Sequence, residues 1–160
     1  MDILNDEFLQ FLKCARENNL RYMLIGGYAV NFYGYSRNTK DMDVWLAPTN
    51  ENKEAFIKTL LCMKYSENEV SALFNEDFTK PFVGNIGSVE NTIDILTFVH
   101  KSLSYDEAEK TKNTFEISEG IFMELVPYEF LKDMKLRSNR DKDLWDIARL
   151  EELRNIPDNH

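Results

Sequence analysis

The sequence predicts a mixed α/β domain of the α+β class, in which helices flank a mixed, largely antiparallel sheet and a helical segment follows. Three observations support this prediction. Short apolar runs of strand length alternate with helical patterns in the first part of the chain. Further strand-like runs then come in pairs around polar turns, and residues 127–154 show helical spacing. The 160 residues match the usual size of one domain, so we expect a single domain over residues 1–160.

The first part of the chain alternates helix and strand. Leu4, Phe8 and Phe11 recur at helical spacing, and the apolar run that follows is short enough for a buried strand. In chain order, the predicted elements are a helix from Leu4 to about Glu17, a strand over 21–25, a short helix over 28–33, a loop over 34–40, a strand over 41–46, and a long helix with Asn50 as its expected N-cap.

The second part contains two predicted strand pairs and the C-terminal helices. Ser104 with Glu107 fits a capping box, and Pro127 suits the start of a helix. The predicted elements are a short helix over 68–74, strands over 82–87 and 92–99, a short helix after Ser104, hairpin strands over 114–118 and 121–126, and a helical segment over about 127–154 with a break near 138–139.

The charge balance limits the partners that the surface can bind. Lys and Arg number 19 against 28 Asp and Glu, which gives a formal net charge of −9. A broad basic surface of the kind that binds nucleic-acid backbones is therefore not expected, although a local basic path remains open.

Cysteine and histidine are too few for a disulfide framework or a zinc-ligand spacing. Cys14 and Cys62 each lie within a helical pattern, and we expect both to be buried, inert thiols in a reducing compartment. No apolar run approaches the ~18 residues of a membrane span, and the first residues do not resemble a signal peptide. We therefore expect no membrane association and a cytoplasmic location.

A glycine pair lies where the first predicted strand gives way to a helix. Gly26 and Gly27 follow Ile25 directly. Glycines at such a junction allow the backbone to approach a ligand, and the free amides of a helix start favour phosphate. A tight turn without a ligand is the alternative explanation of the same pair.

Acidic side chains mark two of the predicted strands. Asp41 and Asp43 alternate with apolar residues, so strand geometry places both carboxylates on one face, where a divalent cation would relieve their repulsion. A solvated strand face is the alternative. Asp94 stands within the apolar run 92–96, where an isolated carboxylate is costly without a partner. Together, the glycine pair and the three acids predict an anionic, metal-holding centre that faces a phosphate cradle.

The glycine pair and the acids together resemble the signature of the polymerase-β-type nucleotidyltransferase superfamily. The matching residues are Gly26-Gly27, then, after thirteen intervening residues, Asp41-Met42-Asp43-Val44, and finally Asp94. The stretch from Gly26 to Trp45 is similar to small bacterial nucleotidyltransferase-like proteins near the abortive-infection (AbiEii-like) toxin group. The resemblance extends over residues 20–100, and it implies that these residues form the catalytic core. The fold expected from it is the nucleotidyltransferase fold.

The resemblance implies transfer of a nucleoside monophosphate from an NTP, with ATP as the default donor, to a hydroxyl of a small molecule, a protein or an RNA end such as that of tRNA. It assigns Asp41, Asp43 and Asp94 to catalysis and to two Mg²⁺ ions, with Mn²⁺ as a substitute. Gly26 and Gly27 would cradle the β and γ phosphates, and pyrophosphate would leave. Two metal ions stabilise the attacking and leaving oxygens of such a displacement.

Basic and polar side chains complete the expected nucleotide site. Arg37 and Thr39 precede the acidic strand, and Lys142 lies in the C-terminal helical segment, so all three are candidate nucleotide-binding residues. Surface or turn roles are the alternatives. Many family members have Ser where this chain has Gly27, and the AbiEii-like toxins are longer, so their substrate is not carried over.

Aromatic residues surround the predicted cradle. Trp45 and Trp145 are interpreted as core side chains, and Tyr28, Tyr33 and Tyr35 flank the glycines, where one of them is a candidate to stack on a base. A second hypothesis for the whole chain is a weakly active or inactive nucleotide-binding module that acts through a protein partner, as in a toxin–antitoxin pair.

Overall fold

A computed structural model describes residues 6–33, 41–100, 103–138 and 141–154 of the chain. It contains a six-stranded mixed sheet flanked by helices, so the predicted fold class is confirmed. The helices are α1 (Asp6–Glu17), α2 (Gly26–Phe32), α3 (Asn50–Cys62), α4 (Glu67–Val70), α5 (Tyr105–Lys110), α6 (Tyr128–Ser138) and α7 (Asp141–Arg154), with a 3-10 turn at Ser71–Leu73. The strands are β1 (Tyr22–Ile25), β2 (Met42–Leu46), β3 (Val83–Gly87), β4 (Thr92–Leu96), β5 (Asn113–Ser118) and β6 (Ile121–Leu125).

The sheet has the strand order β3-β4-β2-β1-β6-β5. Three neighbouring pairs are antiparallel, β1 with β2, β3 with β4 and β5 with β6, and two are parallel, β2 with β4 and β1 with β6. The two hairpins agree with the local turn patterns. The central strands β1 and β2 carry mostly buried side chains, as expected for strands covered on both faces.

The two faces of the sheet have different coverings. Ile95 of β4 lines one cavity together with Phe56 and Leu60 of α3, so α3 covers this face. Alternation along the strand places Asp94 on the opposite face. On β2, Trp45 is 1% exposed, stacks edge-to-face on Tyr105 of α5 at 5.2 Å, and donates from Nε1 to the carbonyl oxygen of Thr97. Asp43 lies two residues before Trp45, so it shares that face of β2.

Helix α3 begins one residue earlier than the sequence indicates. Thr49 is the N-cap, and its Oγ1 accepts a hydrogen bond from the backbone amide of Asn52. Asn50, the expected cap, instead accepts a hydrogen bond from the amide of Phe78 and donates to Asp77. The side chain of Asn50 is therefore engaged with residues 77 and 78, and Thr49 caps the helix.

The expectation of two free thiols is wrong. Cys14 of α1 and Cys62 of α3 form a disulfide whose Cα atoms lie 5.8 Å apart, across 48 residues of sequence. Each helical pattern alone predicts burial but contains no information on which helices pack together. The packing of α1 on α3 brings the two sulfurs into contact.

The expectation that Trp145 is a core residue is also wrong. Its side chain, on α7, is 52% exposed, and the guanidinium of Arg149 lies 5.0 Å from its ring centroid. The cation–π contact explains how an indole is held at the surface. Within the described ranges, no helix combines the length and the hydropathy that crossing a membrane requires.

Candidate active site

Asp43 and Asp94 lie side by side on the sheet. The parallel register of β2 and β4 makes them direct Cα partners, and partners in register point to the same face. Both side chains are half-buried, and their carboxyl groups lie within hydrogen-bonding reach of each other. The sheet therefore joins two of the three predicted acids into one pair, although 50 residues (44–93) separate them in sequence.

Gly26 lies directly against Asp43. The antiparallel pairing of β1 with β2 places Ile25 opposite Asp43, and Gly26 follows with φ +70°. A Cβ built at position 26 would stand 3.0 Å from Cγ of Asp43 and closer still to its Oδ2. Glycine is required here for two reasons, because the backbone is left-handed and because the carboxylate fills the space of a side chain.

Gly26 and Gly27 form the first residues of α2, immediately after the buried strand β1. Ile25 is the N-cap and provides no side-chain hydrogen bond to the first turn. Gly27 is buried. The junction thus has backbone amides as its polar groups and lies beside the Asp43 carboxylate.

Asp41 differs from the other two acids in its position. It directly precedes β2 and is exposed, and its negative charge raises the pKa of both Asp43 and Asp94. Among the described residues, the three-residue set whose ligand atoms all come within 4.8 Å of one another is Cys14, Glu17 and Cys62. Asp41 is therefore coupled electrostatically to a close Asp43–Asp94 pair rather than gathered tightly with it.

The pair carries an unfavourable concentration of negative charge. Burial, followed by the neighbouring charges of Asp94 and Asp41, raises the pKa of Asp43 from 3.8 to about 7. Burial and the charge of Asp41 also raise the pKa of Asp94, against a lowering effect of its hydrogen bond with Asp43. Like-charged carboxylates that share a site favour protonation or a bound cation. Hard carboxylate oxygens fit Mg²⁺ or Mn²⁺, so the donor set suits the expected metal.

Lys135 is a site residue that the sequence interpretation missed. It lies on α6 with 6% of its side chain exposed, and its positive charge lowers the pKa of Asp43. The sequence did contain an indication of this position. Lys135 follows Leu131 by four residues, so both lie on the same, buried face of the helix. A buried lysine is costly unless negative charge lies nearby, and the Asp43 carboxylate contributes such charge.

Other predicted site residues fall outside the described part of the chain. Arg37, Thr39 and Tyr35 lie within 34–40, which the structure does not describe. Lys142 belongs to α7 by its backbone, but its side chain also lies outside the described set.

The two described tyrosines near the glycines have structural contacts. Tyr28 is 2% exposed and packs edge-to-face on Phe8 at 5.3 Å. The hydroxyl of Tyr33 donates to the carbonyl oxygen of Val126 at 2.6 Å. Tyr28 is too deeply buried to stack on a nucleotide base in this conformation.

Comparison with known proteins finds similarity among solved structures. No family model matches the chain, and no curated protein matches it. Among solved structures, the chain is similar to a protein of Thermotoga maritima described as a "putative nucleotidyltransferase", at 15% identity and a TM-score of 0.52. The match covers 92% of this chain and 91% of that one. The two proteins share a fold over nearly their whole lengths, which supports a nucleotidyltransferase-type fold for this chain.

Proposed function

We propose that the protein is a nucleotidyltransferase that moves a nucleoside monophosphate from an NTP to a hydroxyl acceptor and releases pyrophosphate. The observation that carries this proposal is the direct contact of the Asp43 carboxylate with Gly26, next to Asp94. A backbone turn suited to phosphate and a pair of carboxylates are thereby combined at one place. The shared fold with the Thermotoga maritima protein supports the same class.

The acids are proposed to hold the metal. Asp41, Asp43 and Asp94 would bind two Mg²⁺ ions, with Mn²⁺ as a substitute. When bound, these ions supply charge stabilisation for the attacking and leaving oxygens. Burial, and then repulsion from the neighbouring carboxylates, raises the pKa of Asp43 in the metal-free protein. This supports the assignment, because a bound cation would stabilise the charged carboxylate against both effects.

Each remaining group has a defined task in the proposal. The backbone at Gly26 and Gly27 holds the β and γ phosphates, since neither residue has a side chain that blocks close approach. Asp94 accepts a hydrogen bond from the attacking hydroxyl and takes its proton. Lys135 offsets the negative charge at Asp43.

Some parts of the proposal rest on the sequence resemblance alone. Arg37, Thr39 and Lys142 are proposed as further contacts to the triphosphate. ATP is the proposed donor, and the acceptor is a small molecule, a protein or an RNA end. The relation to the AbiEii-like toxins, a toxin–antitoxin partner and a cytoplasmic location belong to the same group of proposals.

The test is incubation with each α-labelled NTP and Mg²⁺, with and without total RNA or cell lysate. We expect a labelled product and pyrophosphate release from the wild type, and loss of both in Asp43→Asn and Asp94→Asn. Glu90→Gln, an exposed acid in the β3–β4 turn, is the matched control and should remain active. Binding of NTP with no product from any acceptor would favour the second candidate, a nucleotide-binding module that acts through a protein partner.

A further inference from the structure

A second cluster of ligand-type side chains lies on α1 and α3, away from the carboxylate pair in sequence and in fold. The Sγ atoms of Cys14 and Cys62 and a carboxylate oxygen of Glu17 all lie within 4.8 Å of one another. Oε2 of Glu17 is 3.5 Å from Sγ of Cys62. Cys14 is 4% exposed, Cys62 is half-buried and Glu17 is exposed, so the cluster runs from the core to the surface.

We propose that this cluster has two chemical states, a disulfide when oxidised and a zinc site when reduced. In the reduced state, the thiolates of Cys14 and Cys62 and the carboxylate of Glu17 bind one Zn²⁺. The site is independent of the nucleotidyl transfer proposed above, since none of its residues belongs to the carboxylate pair.

The ligand chemistry selects zinc over magnesium. Thiolates are soft ligands that bind Zn²⁺ well, whereas Mg²⁺ takes oxygen ligands. Zinc is tetrahedral with Zn–S bonds of about 2.3 Å, which places two bound thiolates about 3.8 Å apart. The Cα atoms of Cys14 and Cys62, 5.8 Å apart, allow that separation through rotation of the side chains alone. The exposed position of Glu17 leaves the fourth ligand position to water.

The two states exclude each other because they use the same sulfur atoms. A low-molecular-weight disulfide such as oxidised glutathione is the oxidant. Two protein thiolates give up two electrons and form one S–S bond, the glutathione S–S bond breaks, two protons are taken up to give two glutathione thiols, and Zn²⁺ is released. Reduction by a dithiol reverses the electron flow and restores the metal ligands.

Both states join α1 to α3. The disulfide does so covalently, and a zinc ion held by Cys14 and Glu17 of α1 and Cys62 of α3 does so by coordination. The contact between these helices is thus maintained in oxidising and in reducing surroundings. A pair of free thiols would leave that junction to packing alone.

The experiment measures zinc bound to the folded, full-length protein in each redox state. The protein is reduced, loaded with Zn²⁺ in the presence of excess Mg²⁺, passed through a desalting column and analysed for metal. We expect one zinc per chain in the reduced protein and less than one tenth of that in the disulfide form. Addition of oxidised glutathione to the loaded protein should release the zinc in step with the loss of free thiols.

Variants and a spectroscopic probe locate the ion. Cys62→Ser should lose the bound zinc, Glu17→Gln should weaken binding at least tenfold, and Glu51→Gln, an exposed acid at the start of α3, should bind as the wild type does. Loading with Co²⁺ should give a thiolate-to-metal charge-transfer band. Equal zinc in the reduced and oxidised wild type, or a cobalt spectrum without that band, would overturn the proposal even if a variant failed to fold.

Discussion

The carboxylate of Asp43 occupies the space that a side chain at position 26 would need. Gly26 has no side chain, and the carboxylate of Asp43 lies in the space that this leaves. A change at either residue alters the surroundings of the other.

Gly26→Ala should destabilise the protein and abolish transfer. The left-handed backbone at Gly26 costs an alanine about 1–2 kcal/mol, and the clash with Asp43 adds to this. Gly120 provides the control, because it also has a positive φ, +77°, but has no atom within 4 Å of a built Cβ. Urea unfolding of both variants separates the two contributions. Equal losses in Gly26→Ala and Gly120→Ala would contradict the clash.

Asp43 should make the metal-free protein less stable as the pH rises. The unfolded chain loses the proton of this carboxyl near pH 3.8, whereas the folded chain keeps it up to about pH 7. The folded state therefore binds more protons between these values, and its stability falls through this interval and levels off above it, by up to about 4 kcal/mol.

Asp43→Asn should remove that decline. Urea unfolding in EDTA at pH 4, 6 and 8 should show that the stability of the variant relative to the wild type increases as the pH rises. Glu90→Gln should follow the wild type. Parallel curves for Asp43→Asn and the wild type would show that Asp43 titrates normally in the folded chain.

Lys135→Met should move the titration of Asp43 to higher pH. The ammonium of Lys135 favours the ionised carboxylate, so its removal raises the pKa of Asp43 further. The decline in stability should then extend to higher pH, with little change below pH 4. Lys132→Met is the control on the same helix, because Lys132 pairs with Glu151 instead. A shift of similar size in Lys132→Met would contradict a specific effect of Lys135.

Loss of the disulfide should destabilise the oxidised protein substantially. A crosslink that closes a loop of 48 residues restricts the unfolded chain by about 4 kcal/mol in the chain-entropy model. Cys62→Ser should show that loss in urea without reductant and match the reduced wild type in EDTA with reductant. A difference that persists under reduction would instead indicate lost packing at position 62.

Local patterns predicted much of the fold. The Ser104 cap and the turn around Gly120 depend on residues close in sequence, and each agrees with the structure. The strand predicted over 92–99 is also present, but it ends at Leu96. The pairing of β2 with β4 depends on contacts across the sheet, which a single sequence does not specify. Asp94 was predicted because Asp is disfavoured within apolar strands, and Asp41 and Asp43 because they alternate with apolar residues. None of the three was predicted from its neighbours in space.

Most of the predictions that were wrong or missing have the same physical origin. Cys14 and Cys62 meet only because α1 packs on α3, and the charge of Lys135 acts on Asp43 only because the fold brings α6 near β2. Tryptophan is a large apolar residue of the kind expected in a core, but Trp145 lies on the exposed side of α7. For the two cysteines and for Lys135, the deciding contact lies between elements that are distant in sequence. Trp145 instead contacts Arg149 of its own helix.

The parallel register of β2 and β4 also has a consequence for folding. Bringing Asp43 and Asp94 together closes a loop of 50 residues, with an entropic cost of about 3.5 kcal/mol from loop length alone. Contacts of such high contact order form slowly and tend to follow local helices and hairpins. Above about pH 7, where Asp43 is ionised in the folded chain, repulsion between the two carboxylates therefore opposes this late pairing.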